Sequence, residues 1–409
     1  MSETPMTHRR VSTFSSLSNR NYRWFWFGII SAFGGSQIQS LARGWLVYDM
    51  TKSPLVLGLV SAMWGIPMLT VSLFGGTLAD RISKRKLILV AESINTLISI
   101  IVALLILSHR ITVWQLMAAS LLGGIVVSFN VPARQALVPE LARRNELLNA
   151  IALNSAAYTL TWIIGPALAG ILISVIGVGA VYLITVGSYL IAILSMWKIR
   201  ISGGSKGEFK RSLWSGARDG IAYVRDNPII MGLLTQQIIV CLFALPYVFL
   251  LPVFAADILK VGPDGLGWLN AMVGIGALMG ALSVASVSNP RRKGLAMIVL
   301  AIFLGLILSL FAFSGLYYLS LLLLLGVGFG NQSYTTLNNT LLQTNSAPEM
   351  RGRVMSLNLA IWGMTPLGVL PIGAVAGVVG APLAVGISAM LMVAATLILT
   401  VWRPQLRRL

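Results

Sequence analysis

The chain has 409 residues, 56% of them hydrophobic and only 10% charged, with 40 glycines, a formal charge of +18 and a mean hydropathy of +0.84. Soluble domains carry about 25% charged residues, so this composition excludes an ordinary soluble enzyme, a disordered chain and a disulfide-built secreted scaffold. It describes a polytopic membrane protein.

Residues 1–23 are polar and basic and lack the apolar stretch of a cleavable signal peptide, so the first apolar segment is expected to serve as the insertion signal itself. Beyond them, the stretches 24–42, 53–79, 93–109, 111–133, 147–197, 227–256, 265–290, 294–348 and 354–402 contain no Asp, Glu, Lys or Arg. A membrane-spanning helix takes about 20 apolar residues, and each of the three longest stretches holds two around a turn. The prediction is an all-α chain of twelve spans. It divides into a tail (1–23), a first six-span bundle (24–199), a connecting segment (200–228), a second six-span bundle (229–402) and a short tail (403–409).

Basic residues resist transfer across the bilayer and mark the cytoplasmic side. All but Arg43, Lys52, Arg110 and Lys260 of the 30 basic residues fall in the tails or in alternate loops, Arg134, Arg143 and Arg144 being assigned to one of these. Both termini are therefore expected to be cytoplasmic. The same polarisation accounts for a pI near 10.7 without nucleic acid, because the basic clusters are divided among short loops. Within the connecting segment, ISGGSKGEFKRS reads as a flexible linker. After it, Leu213, Trp214, Ala217, Ile221 and Val224 recur at helical spacing opposite Arg218, Asp219 and Arg225, which predicts an amphipathic helix along the inner surface.

The two bundles read as repeats. A shift of 209 residues aligns LGLVSAMWGIPML from Leu57 with LGWLNAMVGIGAL from Leu266, so that Leu57, Gly58, Ala62, Met63, Gly65, Ile66 and Leu69 recur. Without a gap, the same shift lays Pro139, Glu140, Arg144, Leu148 and Asn149 on Pro348, Glu349, Arg353, Leu357 and Asn358. Parallel repeats about a cleft are the layout of carriers that rock to expose a central site alternately to each side.

At the end of the second span stands GGTLADRISKRKLIL. Its Gly76, Asp80, Arg81, Lys84, Arg85 and Lys86 resemble the loop signature of the major facilitator superfamily, with Ser83 where that family prefers glycine. The resemblance implies a charge latch on the inner surface, in which the basic cluster pairs with acids such as Glu140; Glu349 and Arg353 occupy the matching place in the second half. Residues 289–293 keep the bases but lack the aspartate, so the latch is expected to be asymmetric. Gly165, Pro166 and Gly170 resemble the fifth-span motif of antiporters, with Ala169 and Thr161 in place of two glycines. The plainer reading is a kink with small residues for helix packing. The stretches VPARQALVPEL, NELLNAIALNSAA and PEMRGRVMSL are similar to the superfamily branch of transmembrane secretion effectors that includes the enterobactin exporter, and the similarity runs from about residue 12 to 400. It implies a bacterial inner-membrane exporter of a siderophore, drug-like or amphiphilic compound, driven by protons. The alternatives are an importer or uniporter of a polar solute, or an uncoupled lipid or scaffold protein.

Family resemblance also places spans 1, 4, 7 and 10 around the cavity. Polar side chains within spans are costly unless they face water, a ligand or each other. The candidates are Ser36, Gln39, Ser40 and Arg43 on span 1; Asn130 on span 4; Asn154 and Tyr158 on span 5; Gln236 and Gln237 on span 7; and Asn331, Gln332, Tyr334, Thr335, Asn338 and Asn339 on span 10. For any one of them an interhelical hydrogen bond is an equal reading. Trp64, Trp162, Phe243, Tyr247, Trp268 and Trp362 offer aromatic walls. Arg43 has three readings: an outer gate pair with Asp257, an anion-binding group, or a snorkelling side chain. Proton coupling needs an acid with changing access to water. Glu92, inside the third span, is either that acid or a partner of the inner basic cluster, and Asp257 is the second candidate.

The single cysteine, Cys241, permits no internal disulfide, and the two histidines are not spaced for a metal. With no phosphate loop and no paired catalytic carboxylates, the expectation is no enzyme, no cofactor, no metal and no ATP. The expected partners are a small-molecule substrate, protons and membrane lipids, acting on a monomer.

Overall fold

The structure, a computed structural model, describes residues 15–71, 83–143, 146–199, 213–286 and 292–409, and within them every regular element is helical. The first half contains α1 (Arg20–Thr51), α2 (Pro54–Thr70), α3 (Lys84–Leu107), α4 (Val113–Leu141) and α5 (Leu147–Trp197). A connecting helix α6 (Leu213–Asp226) leads to α7 (Pro228–Phe243), α8 (Tyr247–Val253) and one wide π turn (Phe254–Ile258). The second half continues with α9 (Gly262–Ser286), α10 (Lys293–Ala312), α11 (Tyr317–Asn345), α12 (Arg351–Trp362), α13 (Thr365–Val379) and α14 (Ala381–Trp402). Gly76, Asp80 and Arg81, together with Arg144 and residues 287–291, lie outside the described residues.

Local chemistry sets the helix starts. The Asn19 side chain accepts from the Asn21 and Tyr22 amides at the head of α1, and Asn227 does the same for Ile229 and Ile230 at α7, where Pro228 occupies the first helical position. Thr112 and Gln115 close a capping box on α4. The stops follow a spatial rule. Left-handed backbone occurs at Lys52, His109, Gly177, Lys260, Gly262 and Gly380, all at turns on the end of the bundle away from the basic clusters. At Gly177 (φ 78°, ψ 164°) the long α5 breaks into two arms, a conformation open only to glycine. Gly380 (φ 88°, ψ 154°) does the same between α13 and α14.

Among the described residues eight helical segments are long and apolar enough to cross a bilayer, and Pro54–Met68 is a shorter apolar helix. The 32-residue α1 and the 29-residue α11 are not among them, because each carries polar side chains along its middle. Large apolar side chains such as Trp114, Val175 and Val378 stand exposed on the outside, as lipid-facing positions require.

The halves meet through two matched helix pairs. On one side of the molecule Gly58 of α2 faces Val369 and Gly373 of α13, and Gly65 faces Pro366. On the other, Gly267 of α9 faces Pro166 and Gly170 of α5, and Gly274 faces Ile163. Adding 209 to the α2 positions gives those of α9, and adding 203 to the α5 positions gives those of α13, the same offset that relates Gly177 to Gly380. The two interfaces are thus images of each other about a pseudo-twofold axis. On that axis Tyr48, at the end of α1, donates its hydroxyl proton to Asp257 in the π turn, and these two residues are themselves 209 apart. Glycines are needed here because a Cβ at Gly65 would overlap Pro366, and one at Gly170 would overlap the Pro263 carbonyl.

Two expectations about the repeat and the loops are corrected. The ungapped shift of 209 does not hold beyond α3. Gly124 packs on the Trp64 carbonyl and Gly328 on that of Val273, which pairs α4 with α11 at a smaller offset. The cause is that α10 has 20 residues where α3 has 24 and that the turn after α10 is one residue shorter than the turn after α3. Consequently Glu140 lies within α4, whereas Glu349 lies in the turn after α11. Arg134 is not in a loop, because α4 runs on through Pro132 and Pro139 to Leu141 and buries it. The connecting helix α6 packs Gly220 beside Arg353 and Leu357 of α12, and the Ala347 amide donates to the Tyr223 hydroxyl at 3.0 Å.

Candidate functional site

A cavity of about 240 Å³ opens between the halves. Ser36, Gln39, Ser40 and Arg43 enter it from one face of α1, spaced by three and four residues. Small residues bring α1 close enough to α5 to aim that face inward: a Cβ at Gly35 would stand 2.8 Å from Ser188, and one at Gly165 2.7 Å from Gln37. Asn95 of α3, Ser61 and Trp64 of α2, and Trp162, Pro166, Tyr182 and Tyr189 of α5 share the first half's wall with Ala119, Gly123 and Val127 of α4. The second half supplies Phe249 and Pro252 of α8 and Asn270 of α9.

Gln39 is fixed in place. Its amide donates to Ser99 at 3.0 Å and its carbonyl accepts from the Tyr189 hydroxyl at 2.8 Å. Arg43 is the one cation on the wall, no Asp or Glu lines it, and among the described residues Arg43 makes no hydrogen bond or ion pair. Tyr182 and Tyr189 lie within electrostatic reach of its guanidinium. Arg43 does not pair with Asp257, whose carboxylate is taken by Tyr48.

Behind the cavity lies a buried charged trio. The Glu92 carboxylate accepts from Arg134 at 2.7 Å and from the Asn130 amide at 2.6 Å, while Arg134 also donates to the Asn130 carbonyl at 3.0 Å. Glu92 is 1% exposed and Arg134 3%, so neither charge has bulk water to solvate it and each depends on the other. The other Glu92 oxygen and one Arg134 nitrogen have no partner among the described residues. The guanidinium lies 5.5 Å over the Phe33 ring, which in turn packs on Tyr158 with ring centres 4.1 Å apart. Tyr189 sits within electrostatic reach of both Glu92 and Arg43 and so links the trio to the cavity.

The structure therefore separates the candidates. Gln39, Arg43, Trp64, Trp162 and Pro166 line the cavity. Asn130, Asn154 and Tyr158 do not: Asn130 serves Glu92, Tyr158 serves Phe33, and the Asn154 carbonyl oxygen is buried without a partner. In the second half, Gln236 donates to Thr396 at 3.0 Å, and the Gln237 carbonyl accepts from Tyr334 and Asn338 at 3.3 and 3.2 Å. Among the described residues Gln332 reaches only Thr336 of its own helix, and the Asn331 carbonyl oxygen is buried without a partner. None of these second-half residues lines this cavity, nor do Phe243, Tyr247, Trp268 or Trp362.

At the basic end, Lys84 donates to Glu140. Arg85 donates to the Met196 and Trp197 carbonyls at 3.2 and 2.9 Å, tying α3 to the end of α5 within the same half. Gly165 and Gly170 act as close-approach points, the first against α1 and the second against α9 across the interface. Sequence reasoning missed Arg134 and Tyr48. Both left a signal: Arg134 stands four residues after Asn130 on one helical face, and the 209 shift carries Tyr48 onto Asp257.

Two helical bundles related by a pseudo-twofold axis, with a largely apolar cavity between them into which a few polar side chains project, define a multi-pass membrane transporter of the major facilitator superfamily. The chain belongs to the transmembrane secretion effector family of that superfamily, whose pattern it matches over residues 11–407. It is 25% identical to the multidrug efflux pump Tap of Mycolicibacterium fortuitum over 87% of this chain and 88% of that one. It is also 25% identical to the staphyloferrin A transporter of Staphylococcus aureus, over 88% and 90% respectively. In fold it is similar to the nucleoside transporter NupG, with a TM-score of 0.75 at 13% identity over 93% of this chain and 98% of that one.

Proposed function

We propose that the chain is a twelve-span exporter of the bacterial inner membrane, with both termini cytoplasmic, that carries a small amphiphilic or siderophore-like compound outward in exchange for protons. The observation that carries this reading is the pseudo-symmetric interface. The halves close on each other beside the tight turns, with the cavity just inside that closure, as expected of one limit of a rocking carrier facing the cytoplasm. The efflux and siderophore-transport names of its relatives favour the outward direction.

Each part then has a task. Tyr48 with Asp257 holds the outer end shut. The loop with Gly76, Asp80 and Arg81 joins Lys84, Arg85 and Glu140, with Glu349 and Arg353 as second-half counterparts, to latch the inner end in the opposite state. Glu92 is the coupling acid: protonating it removes the charge that holds Arg134, and the freed guanidinium must find another partner, which changes the packing of α3 on α4. The unit acts as a monomer in contact with lipid, without ATP or cofactor, and its halves span 24–199 and 229–402 around the 200–228 connection.

Proteoliposomes with an internal pH dye and an imposed gradient test this. A panel of catecholates, amphiphilic drugs and sugars should include a compound that triggers proton flux, and Glu92→Gln should abolish the flux while leaving binding. Compound movement that ignores the gradient would overturn the coupling. A second reading, uptake or uniport of a polar solute, draws on the amides and hydroxyls of the cavity wall. Accumulation of the compound in cells lacking the protein supports export, and depletion supports uptake.

A further inference from the structure

We propose that Arg43 seats an anionic group of the transported compound, a carboxylate or phosphate at the end of an apolar body; this rests on the transport reading above and names its substrate class. The charges of the buried trio and of the axial π turn have protein partners. Arg134 has Glu92, and Asp257 has the Tyr48 hydroxyl. Arg43 has none among the described residues, and no acid stands on the wall it shares. A guanidinium in such surroundings needs a counter-charge, and the space in front of it is the cavity. Snorkelling does not satisfy it, because the side chain lies against the cavity and is eight residues short of the helix end at Thr51, about 12 Å by helical rise.

The surroundings add selectivity. Gln39 is held by Ser99 and Tyr189 and contributes no charge. Asn95 and Asn270 offer amides from the two halves, so a compound held between them is gripped by both. Trp64, Trp162 and Phe249 give apolar walls for a ring or chain. An arginine presents a planar fork that fits carboxylate or phosphate in two-point contact, and it repels a cationic amphiphile of the same shape.

A charge-matched pair of probes, pyrenebutyrate and pyrenebutylamine, tests the seat by energy transfer from protein tryptophan in phosphatidylcholine nanodiscs, with empty discs subtracted. The butyrate should bind tighter than the amine by about tenfold or more. Arg43→Gln should remove that preference, and Arg43→Lys should recover part of it. Equal affinities, tighter binding of the amine, or a preference unchanged in Arg43→Gln would overturn the proposal. Repeating the titration in discs containing phosphatidylglycerol distinguishes two sources of the anion: a tenfold loss of probe affinity assigns the seat to a lipid headgroup, and no loss assigns it to a soluble anion. Because binding needs no turnover, a protein that discriminates the probes but moves nothing in vesicles keeps the seat and loses the transport reading. One that exchanges protons for cations and ignores Arg43→Gln does the reverse.

Discussion

The two halves use matching positions on α4 and α11 for different electrostatics. On α4, Asn130 and Arg134 turn toward Glu92 and form a buried charged trio; on α11, Tyr334 and Asn338, at the matching places set by the Gly124 and Gly328 contacts, turn toward Gln237 and form a neutral one. The cavity is skewed the same way, with Arg43 and most of its wall belonging to the first half. The repeat thus supplies shape and interface twice but charge once. On the proposed coupling, a symmetric frame charged on one side only answers a proton by tilting that side against a neutral partner.

The largest expected effect breaks the charged trio. Arg134→Leu or Glu92→Leu alone leaves an uncompensated buried charge and should cost about 3–5 kcal/mol, read as a fall in Tm in detergent. The Glu92→Leu/Arg134→Leu double variant should regain most of that stability while losing proton coupling. Next in size is the interface. Gly170→Leu forces a side chain into Pro263 and Gly267 and should destabilise the closed tight-turn end by about 1–3 kcal/mol. Spin labels on the tight-turn end would report it as a wider distance distribution, and an unchanged distribution would argue that the halves do not part there. Tyr48→Phe removes one hydrogen bond whose acceptor is exposed, so a shift of about 1 kcal/mol in the same distribution is expected. The smallest effect belongs to the neutral trio. Gln237→Leu should cost about 0.6 kcal/mol and leave proton flux intact, and a loss as large as that of Glu92→Leu would end the asymmetry proposed here.

Much of the fold was legible because hydrophobic stretches, tight-turn residues and the 209 repeat are local or periodic signals. The repeat failed from the point where α10 and its following turn are shorter than α3 and its turn, since small length differences between elements leave no mark in an ungapped shift. The site was less legible. Gln39 and Arg43 stood out because, with Ser36 and Ser40, they recur at three- and four-residue spacing on one face of span 1. The polar run of α11 stood out more and proved to lie off the cavity, with Tyr334 and Asn338 on Gln237 and Asn339 on Asn358, because composition does not say which face of a helix looks inward. Arg134 was hidden by a positional rule: basic residues near apolar stretches are usually loop residues, and only the acid 42 residues earlier on α3 reveals that this one is not. A buried pair is invisible until both members can be placed in space.

The bond between Tyr48 and Asp257 carries one more consequence. In any assembly of two identical subunits, a residue on the symmetry axis must face its own copy, so an aspartate there meets an aspartate and a tyrosine meets a tyrosine. Neither self-pairing makes a good clasp, the first through repulsion and the second because neither hydroxyl has an anion to donate to. A single chain is free of that rule. Here the axis holds a donor on one side and an acceptor on the other, and the strength of the clasp can be adjusted by changing one residue without altering its mate.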